Sequence, residues 1–341
     1  MPHLDFPPPP SVLVADVGGT FARFCLAQGC RPLTDVVTLA RASASDLPSL
    51  CVRALRDFNR PINGAVIAVA ARLSGGRGRM TNADWEVDER TLAQALSVER
   101  VLLINDFAAL ALSLPTLEAG DVLSIPPRDC VAGTGDPEAA LDAPRVVFGP
   151  GTGLGVAALF HLQGRQIPIA SEGGHISFAP ATRFEQMVLE QAASRFERVS
   201  WERILSGPGL ELIDEISLRE HGWPVARRKA KQIVDAAREG TCLAATHSVA
   251  CFAGLLGSFG GDLALMFQAS GGVVIGGGIA ARIAPLISPQ SVRERFCQKG
   301  RFSSWLGALP LSILVSPNAA LTGAARAFAE RFPEPVGRAH D

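Results

Sequence analysis

The feature that most constrains the fold of this 341-residue chain is a pattern that occurs twice. Residues 11–17 form a β-rich run that enters Gly18-Gly19-Thr20 and resumes as a second apolar run over residues 21–27. Residues 145–148 enter Gly149-Pro150-Gly151-Thr152-Gly153-Leu154-Gly155 and resume over residues 156–161. Apolar, β-branched runs on both sides of a glycine cluster predict strand, tight turn, strand. Two such hairpins predict two α/β domains that each open on one, and the length also suits two domains better than one core.

The rest of the chain fills in around them. The spacing predicts a helix over 46–58, a buried strand over 64–70, a helix over 89–96, a strand over 101–104 and a helix from Phe107. After the second hairpin it predicts helices over 184–196, 207–220 and 244–268, strands over 273–275 and 311–315, and a helix over 321–332. The expected organisation is a proline-rich tail over 1–10, a small α/β domain over 11–125 and a large α/β domain over 145–320. Residues 126–144, rich in Pro, Gly, Asp and Ala, are read as the crossover. The first ten residues carry neither a basic start nor an apolar run, so no signal peptide is expected in them.

Charge narrows the function classes. The 32 basic and 33 acidic residues nearly cancel, which argues against nucleic acid, an anionic membrane or a polyanionic substrate as a partner held by the overall field. Seven cysteines without a C-x-x-C pair or repeated His/Cys spacing fit reduced thiols in a cytoplasm. The stretch 243–280 is the most membrane-like, but His247, Asp262 and its glycines are costly in lipid, so a buried helix and strand are expected there.

Three glycine turns follow predicted strands: residues 16–20, 149–155 and 276–278. Glycine lets backbone N–H groups approach phosphate oxygens with no Cβ in the way. Each alone is equally well plain turn geometry, but two hairpin turns, one per domain, suit a polyphosphate gripped from both sides. Neither a G-K-[ST] P-loop nor a Rossmann fingerprint is present. Asp106 sits where a strand ends and a helix starts, a position that serves a general base or an N-cap alike. Asn105 beside it adds an amide, and amide with carboxylate is the donor and acceptor mixture a sugar needs. Glu172-Gly173-Gly174-His175 reads as a polar rim for a polyol or as a loop with a satisfied histidine; no further His or Cys lies nearby for zinc. Glu202 by itself reads as a surface glutamate.

In order and spacing these pieces resemble the bacterial glucokinase family, within the sugar kinases related to hexokinase and actin. The resemblance runs from Val14 to Phe328: D-V-G-G-T at 16–20, M-T-N-x-x-W at 80–85, I-N-D-F at 104–107, G-x-G-T-G-L-G-V at 149–156, E-G-G-H at 172–175, L-S-G-P-G at 205–209 and G-G-I at 277–279. It implies a two-lobe, actin-like (ribonuclease H-like) α/β fold with a central cleft, part of the C-terminal helix returning to the small lobe. It further implies ATP-dependent phosphorylation of glucose to glucose 6-phosphate, the entry step of glycolysis, with lobe closure on sugar binding. Carried over residue by residue, Asn105, Asp106, Glu172, His175 and Glu202 are the implied glucose contacts, with Asp106 the base on the 6-hydroxyl. Ala15, Asp16, Val17, Gly18, Gly19 and Thr20 correspond to the first ATP phosphate turn, Gly151, Thr152 and Gly153 to the second, and Gly277 and Gly278 lie near the adenosine half. Mg²⁺ arrives with ATP and meets Asp16 through water. A homodimer is the family's expectation.

Two departures bear on that reading. Phe21 stands where the family has asparagine, which removes a hydrogen-bonding side chain beside the phosphates. Residues 71–79 lack the family's proline and glycine-aspartate pair and carry Arg72, Arg77 and Arg79 instead. The alternatives are therefore a kinase for mannose, fructose or an amino sugar, and a low-activity sugar-binding sensor. A DNA-binding regulator is not expected, because the kinase-like strand starts at Ser11.

Overall fold

The computed structural model describes residues 11–32, 34–81, 84–127 and 142–333. The expected tail over 1–10, most of the crossover, Cys130 and Asn82 of the M-T-N motif lie outside the described residues. Twelve α-helices and three sheets are present among those described, in a mixed α/β fold. The chain divides into two compact units, Met1–Thr116 with Pro317–Asp341, and Leu117–Ser316.

In the first unit, β1 (Ser11–Val17) pairs antiparallel with β2 (Phe21–Gln28) and parallel with β5 (Ile62–Val69), which pairs parallel with β9 (Arg100–Asn105). Two short strands, β3 (Arg31–Pro32) and β4 (Val37–Ala40), extend the β2 edge. Side chains alternate across a strand, so β1 serves two cores. Val12 and Val14 pack with Leu321, Ala324 and Phe328 of the C-terminal helix α12 (Ala319–Arg331). Leu13, Ala15 and Val17 pack on the other face with Leu47 and Leu50 of α1 (Leu47–Phe58) and Leu92 of α2 (Glu89–Leu96). The start of α1 follows from Asp46, whose side chain accepts the Ser49 N–H, and from Pro48 in the first turn.

Residues 71–88 form a separate small sheet, β6 (Ala71–Ser74), β7 (Arg77–Met80) and β8 (Glu86–Asp88). The first two are joined by Gly75-Gly76, both with positive φ, as a two-residue hairpin turn requires. Two of the three arginines that distinguish this stretch pair locally, Arg77 with Asp88 at 2.7 Å and Arg79 with Asp84 at 2.8 Å.

The second unit repeats the strand order of the first. Hairpin strands β11 (Arg145–Pro150) and β12 (Leu154–Leu162) are followed by β13 (Arg165–Ser171), and β14 (Val273–Ile275) and β15 (Leu311–Leu314) run parallel beside β11. One strand is added: β10 (Val122–Ser124) pairs antiparallel with β15. Composition places residues up to 125 in the first domain, whereas 117–125 fall in the second unit, where β10 pairs with β15. A strand of three residues has no compositional mark of which sheet it joins.

The long helix α8 (Leu243–Phe267) is the one described helix long and apolar enough to cross a membrane, and 72% of its most apolar window is buried inside the structure. Its Phe252, Leu256 and Phe259 sit in the same core as Ile213 of α6 (Gly207–Glu220), Ile233 of α7 (Ala230–Arg238) and Phe296 of α10 (Pro289–Cys297).

Candidate functional site

In the first unit, the β1–β2 turn is closed by its own backbone. The Gly18 N–H donates to the Phe21 carbonyl at 3.0 Å, so this N–H shapes the turn. Arg41 braces it from outside: its Nε donates to the Gly19 carbonyl at 2.7 Å, its N–H to the Thr20 carbonyl at 2.9 Å, and its guanidinium lies 5.2 Å from the ring centre of Trp85. The M-T-N-x-x-W tryptophan thus supports the glycine turn through Arg41, a residue the sequence did not single out. Asp16, just before the turn, faces Arg23 at 3.6 Å; burial pushes its carboxyl above the ordinary aspartate value, against the pull of that guanidinium. Phe21 is 57% exposed, and it is its carbonyl that closes the turn.

Asn105 ends β9 and Asp106 opens α3 (Asp106–Ser113). The choice between base and N-cap at Asp106 takes a definite form. Asn105 is the cap: its Oδ1 accepts the N–H groups of Phe107 at 3.0 Å and Ala108 at 3.1 Å, and its Nδ2 donates to the Ala71 carbonyl at 3.3 Å. Asp106, at the first helical position, takes the Phe107 N–H on one oxygen at 2.9 Å and is half-buried. One amide hydrogen of Asn105 is therefore left for a ligand.

In the second unit, Glu202 meets Glu172 and His175, about 30 residues earlier in the chain. Glu172 precedes the short 3₁₀ turn Gly173–His175, and Glu202 lies on α5 (Trp201–Ile204). The His175 Nε2 is 3.8 Å from Glu172 Oε2 and 3.9 Å from Glu202 Oε1. The other Glu202 oxygen accepts the Leu154 N–H at 2.9 Å, which ties the cluster to the end of the Gly151–Gly153 turn. A Cβ on Gly153 would stand 2.5 Å from that carboxylate. Glu202 is thus half-buried and anchored, not a loose surface residue.

The third glycine turn joins the same place. Gly277, at φ 86°, caps α9 (Gly278–Ile283), and a Cβ there would lie 2.5 Å from the Pro150 carbonyl. The Gly207 N–H at the start of α6 donates to the Gly151 carbonyl at 3.0 Å. A Cβ on Gly207 would touch Gly151, Ile279 and Ala230 within 4.0 Å. The second and third glycine turns and the segment before α7 therefore converge on the α6 N-terminus. Beside them lies a cavity of about 520 Å³ with Thr152, Glu202 and Ser206 at its lining and Arg227, Arg228 and Lys229 along its wall. Gly207 falls within L-S-G-P-G, whereas no sequence signal marked the three basic residues.

The second unit offers glycine turns with a helix N-terminus for an anion and acid and imidazole groups suited to hydroxyls, and the first unit offers its own glycine turn and the Asn105-Asp106 amide and carboxylate. The family model Glucokinase matches residues 13–331. The chain belongs to the glucokinase family. It is 39% identical to "Glucokinase" of Caulobacter vibrioides over 340 residues, 96% of each chain. It is 36% identical to "Bifunctional protein glk" of Burkholderia lata over 329 residues, 96% of this chain and 50% of that one, so it spans about half the length of that relative. Among solved structures, a glucokinase from an Antarctic psychrotroph superposes with a TM-score of 0.78 at 31% identity, covering 94% of this chain and 99% of the other. That agreement over nearly the whole length bears out the actin-like sugar-kinase fold of the glucokinase family.

Proposed function

We propose that the protein transfers the γ-phosphoryl group of ATP to the 6-hydroxyl of D-glucose, giving glucose 6-phosphate and ADP. The observation that carries this reading is Glu202, whose one oxygen faces His175 among groups suited to sugar hydroxyls while the other holds the Leu154 N–H at the end of a glycine turn. A single carboxylate thereby links hydroxyl recognition to phosphate recognition, as a sugar kinase requires.

In this reading Glu172, His175 and Glu202 accept or donate hydrogen bonds to the sugar, and Asn105 contributes its remaining N–H. Asp106 takes the proton of the 6-hydroxyl as that oxygen bonds to the γ-phosphorus and the bond to the β,γ-bridging oxygen breaks. The turns at 18–20 and 151–153 and the α6 N-terminus orient the phosphates, and Gly277 and Gly278 border the adenosine. A Mg²⁺ would come with the nucleotide, and Asp16, a carboxylate just before the first glycine turn, would meet it through water. That ion neutralises phosphate charge when bound. The exposed Phe21 ring does not argue for a silent sensor, because the turn is closed by its main chain. The six described cysteines are all free and the net charge is −1, which suits a cytoplasmic enzyme with small-molecule partners and neither nucleic acid nor membrane.

A coupled assay with MgATP on glucose, mannose, fructose and glucosamine tests the reading. Glucose is expected to give the highest kcat/KM; a higher value on another sugar reassigns the substrate, and no sugar-dependent ADP release, with glucose still bound in calorimetry, makes the protein a sensor. The sugar cluster is tested separately at Gly174, where an added Cβ would collide with the Leu154 carbonyl. Gly174→Ala should move His175 and lower kcat/KM for the hexose roughly ten- to a hundred-fold, while ADP affinity stays put; an unchanged hexose kcat/KM would remove His175 from the site.

A further inference from the structure

The cavity wall formed by residues 227–229 has a construction that the proposed sugar and phosphate contacts do not explain. Arg228 points inward. Its Nε and Nη2 donate to the two oxygens of Asp214 at 2.8 and 2.6 Å, and its Nη1 donates to the Cys242 sulfur at 3.2 Å. Asp214, on α6, is 1% exposed, and its Oδ1 also accepts the Ser248 hydroxyl of α8 at 3.0 Å. A buried ion pair of this kind is weak evidence for stability, because removing two charges from water offsets much of their attraction. What a forked, bidentate pair does well is to fix a position.

The position fixed here is that of an otherwise irregular, exposed segment between α6 and α7. Next to Arg228 in the chain, Lys229 pairs with Glu211 at 3.2 Å, and the Ala230 N–H donates to the same glutamate at 3.3 Å. Across the cavity, Arg195 is held by Glu215 at 2.5 Å, and Arg203 lies over the Phe196 ring at 4.3 Å. Arg227 differs from all of these: it lines the cavity, is exposed, and has no hydrogen-bond or ion-pair partner among the described residues. A guanidinium held by its neighbour's clamp beside a cavity that Thr152 and Ser206 also line is suited to an anionic oxygen.

We propose that Arg227 contacts a phosphate oxygen of the nucleotide in this cavity, and that the buried Asp214–Arg228 pair is the positioning device that presents it. The proposal rests on the ATP reading above and adds to it a wall of the nucleotide site. Arg227 is the contact and Arg228 acts through it.

The test is calorimetry with ADP, ATP and glucose KM values, and thermal melting, on wild type, Arg227→Gln, Arg227→Lys, Asp214→Asn and the Arg227→Gln/Asp214→Asn double variant. Loss of one charged hydrogen bond corresponds to about ten-fold weaker ADP binding. Arg227→Gln should show that loss with an unchanged Tm, with KM for ATP rising in parallel and KM for glucose moving by less than about two-fold; Arg227→Lys should recover part of it. Asp214→Asn should lose ADP affinity as well, and the double variant should be no weaker than its weaker parent, because both act through one contact. Equal ADP affinity in wild type and Arg227→Gln would overturn the contact, and additive losses in the double variant would overturn the clamp. Should Asp214→Asn not fold, Ser248→Ala, which removes one hydrogen bond to Asp214, replaces it in the same cycle. A wild-type protein that bound no ADP would instead bring down the ATP reading itself.

Discussion

Asp106→Asn is expected to lower kcat roughly a thousand-fold, the contribution of a positioned general base, while the KM for glucose changes little. The reason lies in the division of labour at the β9–α3 junction. Helix capping is carried by Asn105, whose Oδ1 takes two N–H groups, so the helix does not depend on the Asp106 charge. The bond Asp106 accepts from the Phe107 N–H at 2.9 Å is open to an amide oxygen as well. The variant thus keeps shape and hydrogen-bonding capacity and loses only the ability to take a proton. The N-terminal end of a helix also favours a negative charge, which suits a carboxylate that must be ionised to act. Steady-state rates with saturating MgATP and glucose, with glucose affinity by calorimetry, decide it. A kcat within a few-fold of wild type would assign the proton to another group; a parallel loss of glucose affinity would make Asp106 a binding residue.

The second large effect is one of stability. Arg293→Met should destabilise the second unit by about 4 kcal/mol and lower its Tm by about 10 °C. Arg293 is 2% exposed, yet it pairs with no carboxylate among the described residues. Its guanidinium donates to four carbonyls, of Ile125 at 2.6 Å, Pro126 at 2.9 Å, Leu309 at 2.8 Å and Leu306 at 3.3 Å. These belong to the chain leaving β10, to α11 (Ser303–Ala308) and to the approach to β15, so one side chain fastens three segments at the sheet edge. Methionine fills the volume but leaves buried carbonyls without donors, and that desolvation cost is what the melt should register. Arg293→Lys should recover only part of the loss, because an ammonium cannot span the fork. A Tm within about 2 °C of wild type would show that water replaces the guanidinium.

Much of the local structure is legible from the chain alone. The runs read as strands over 11–17 and 273–275 and as helices over 89–96 and 207–220 coincide with β1, β14, α2 and α6. Each is dictated by contacts within a few residues: alternating or 3.6-residue apolar spacing, and side chains such as Ser206 that cap the next turn. The small sheet over 71–88 and strand β10 were harder to read, being short and partly polar, with pairing partners supplied by the surrounding fold. The 3₁₀ turn at Gly173–His175 and the cap at Asn105 sit between these cases, since Asn and Asp cap about equally well and only geometry shows which does so.

The sequence by itself determined where glycine turns interrupt strands, that Asn105 and Asp106 stand at a strand-to-helix joint, and that an acid and an imidazole flank Gly173-Gly174. It also carried the resemblance that gave Glu202 a role its own neighbourhood does not suggest. Only the tertiary structure decided that Glu202 reaches Leu154, 48 residues away, that Gly207 meets Gly151, Ile279 and Ala230, and that Arg228 is locked to Asp214 with Arg227 left facing a cavity. The physical reason is range. Backbone hydrogen bonds and apolar periodicity are settled over one or two turns of chain, whereas the partner of a buried charge is settled by which helices must share a core, and that follows from the packing of the whole unit.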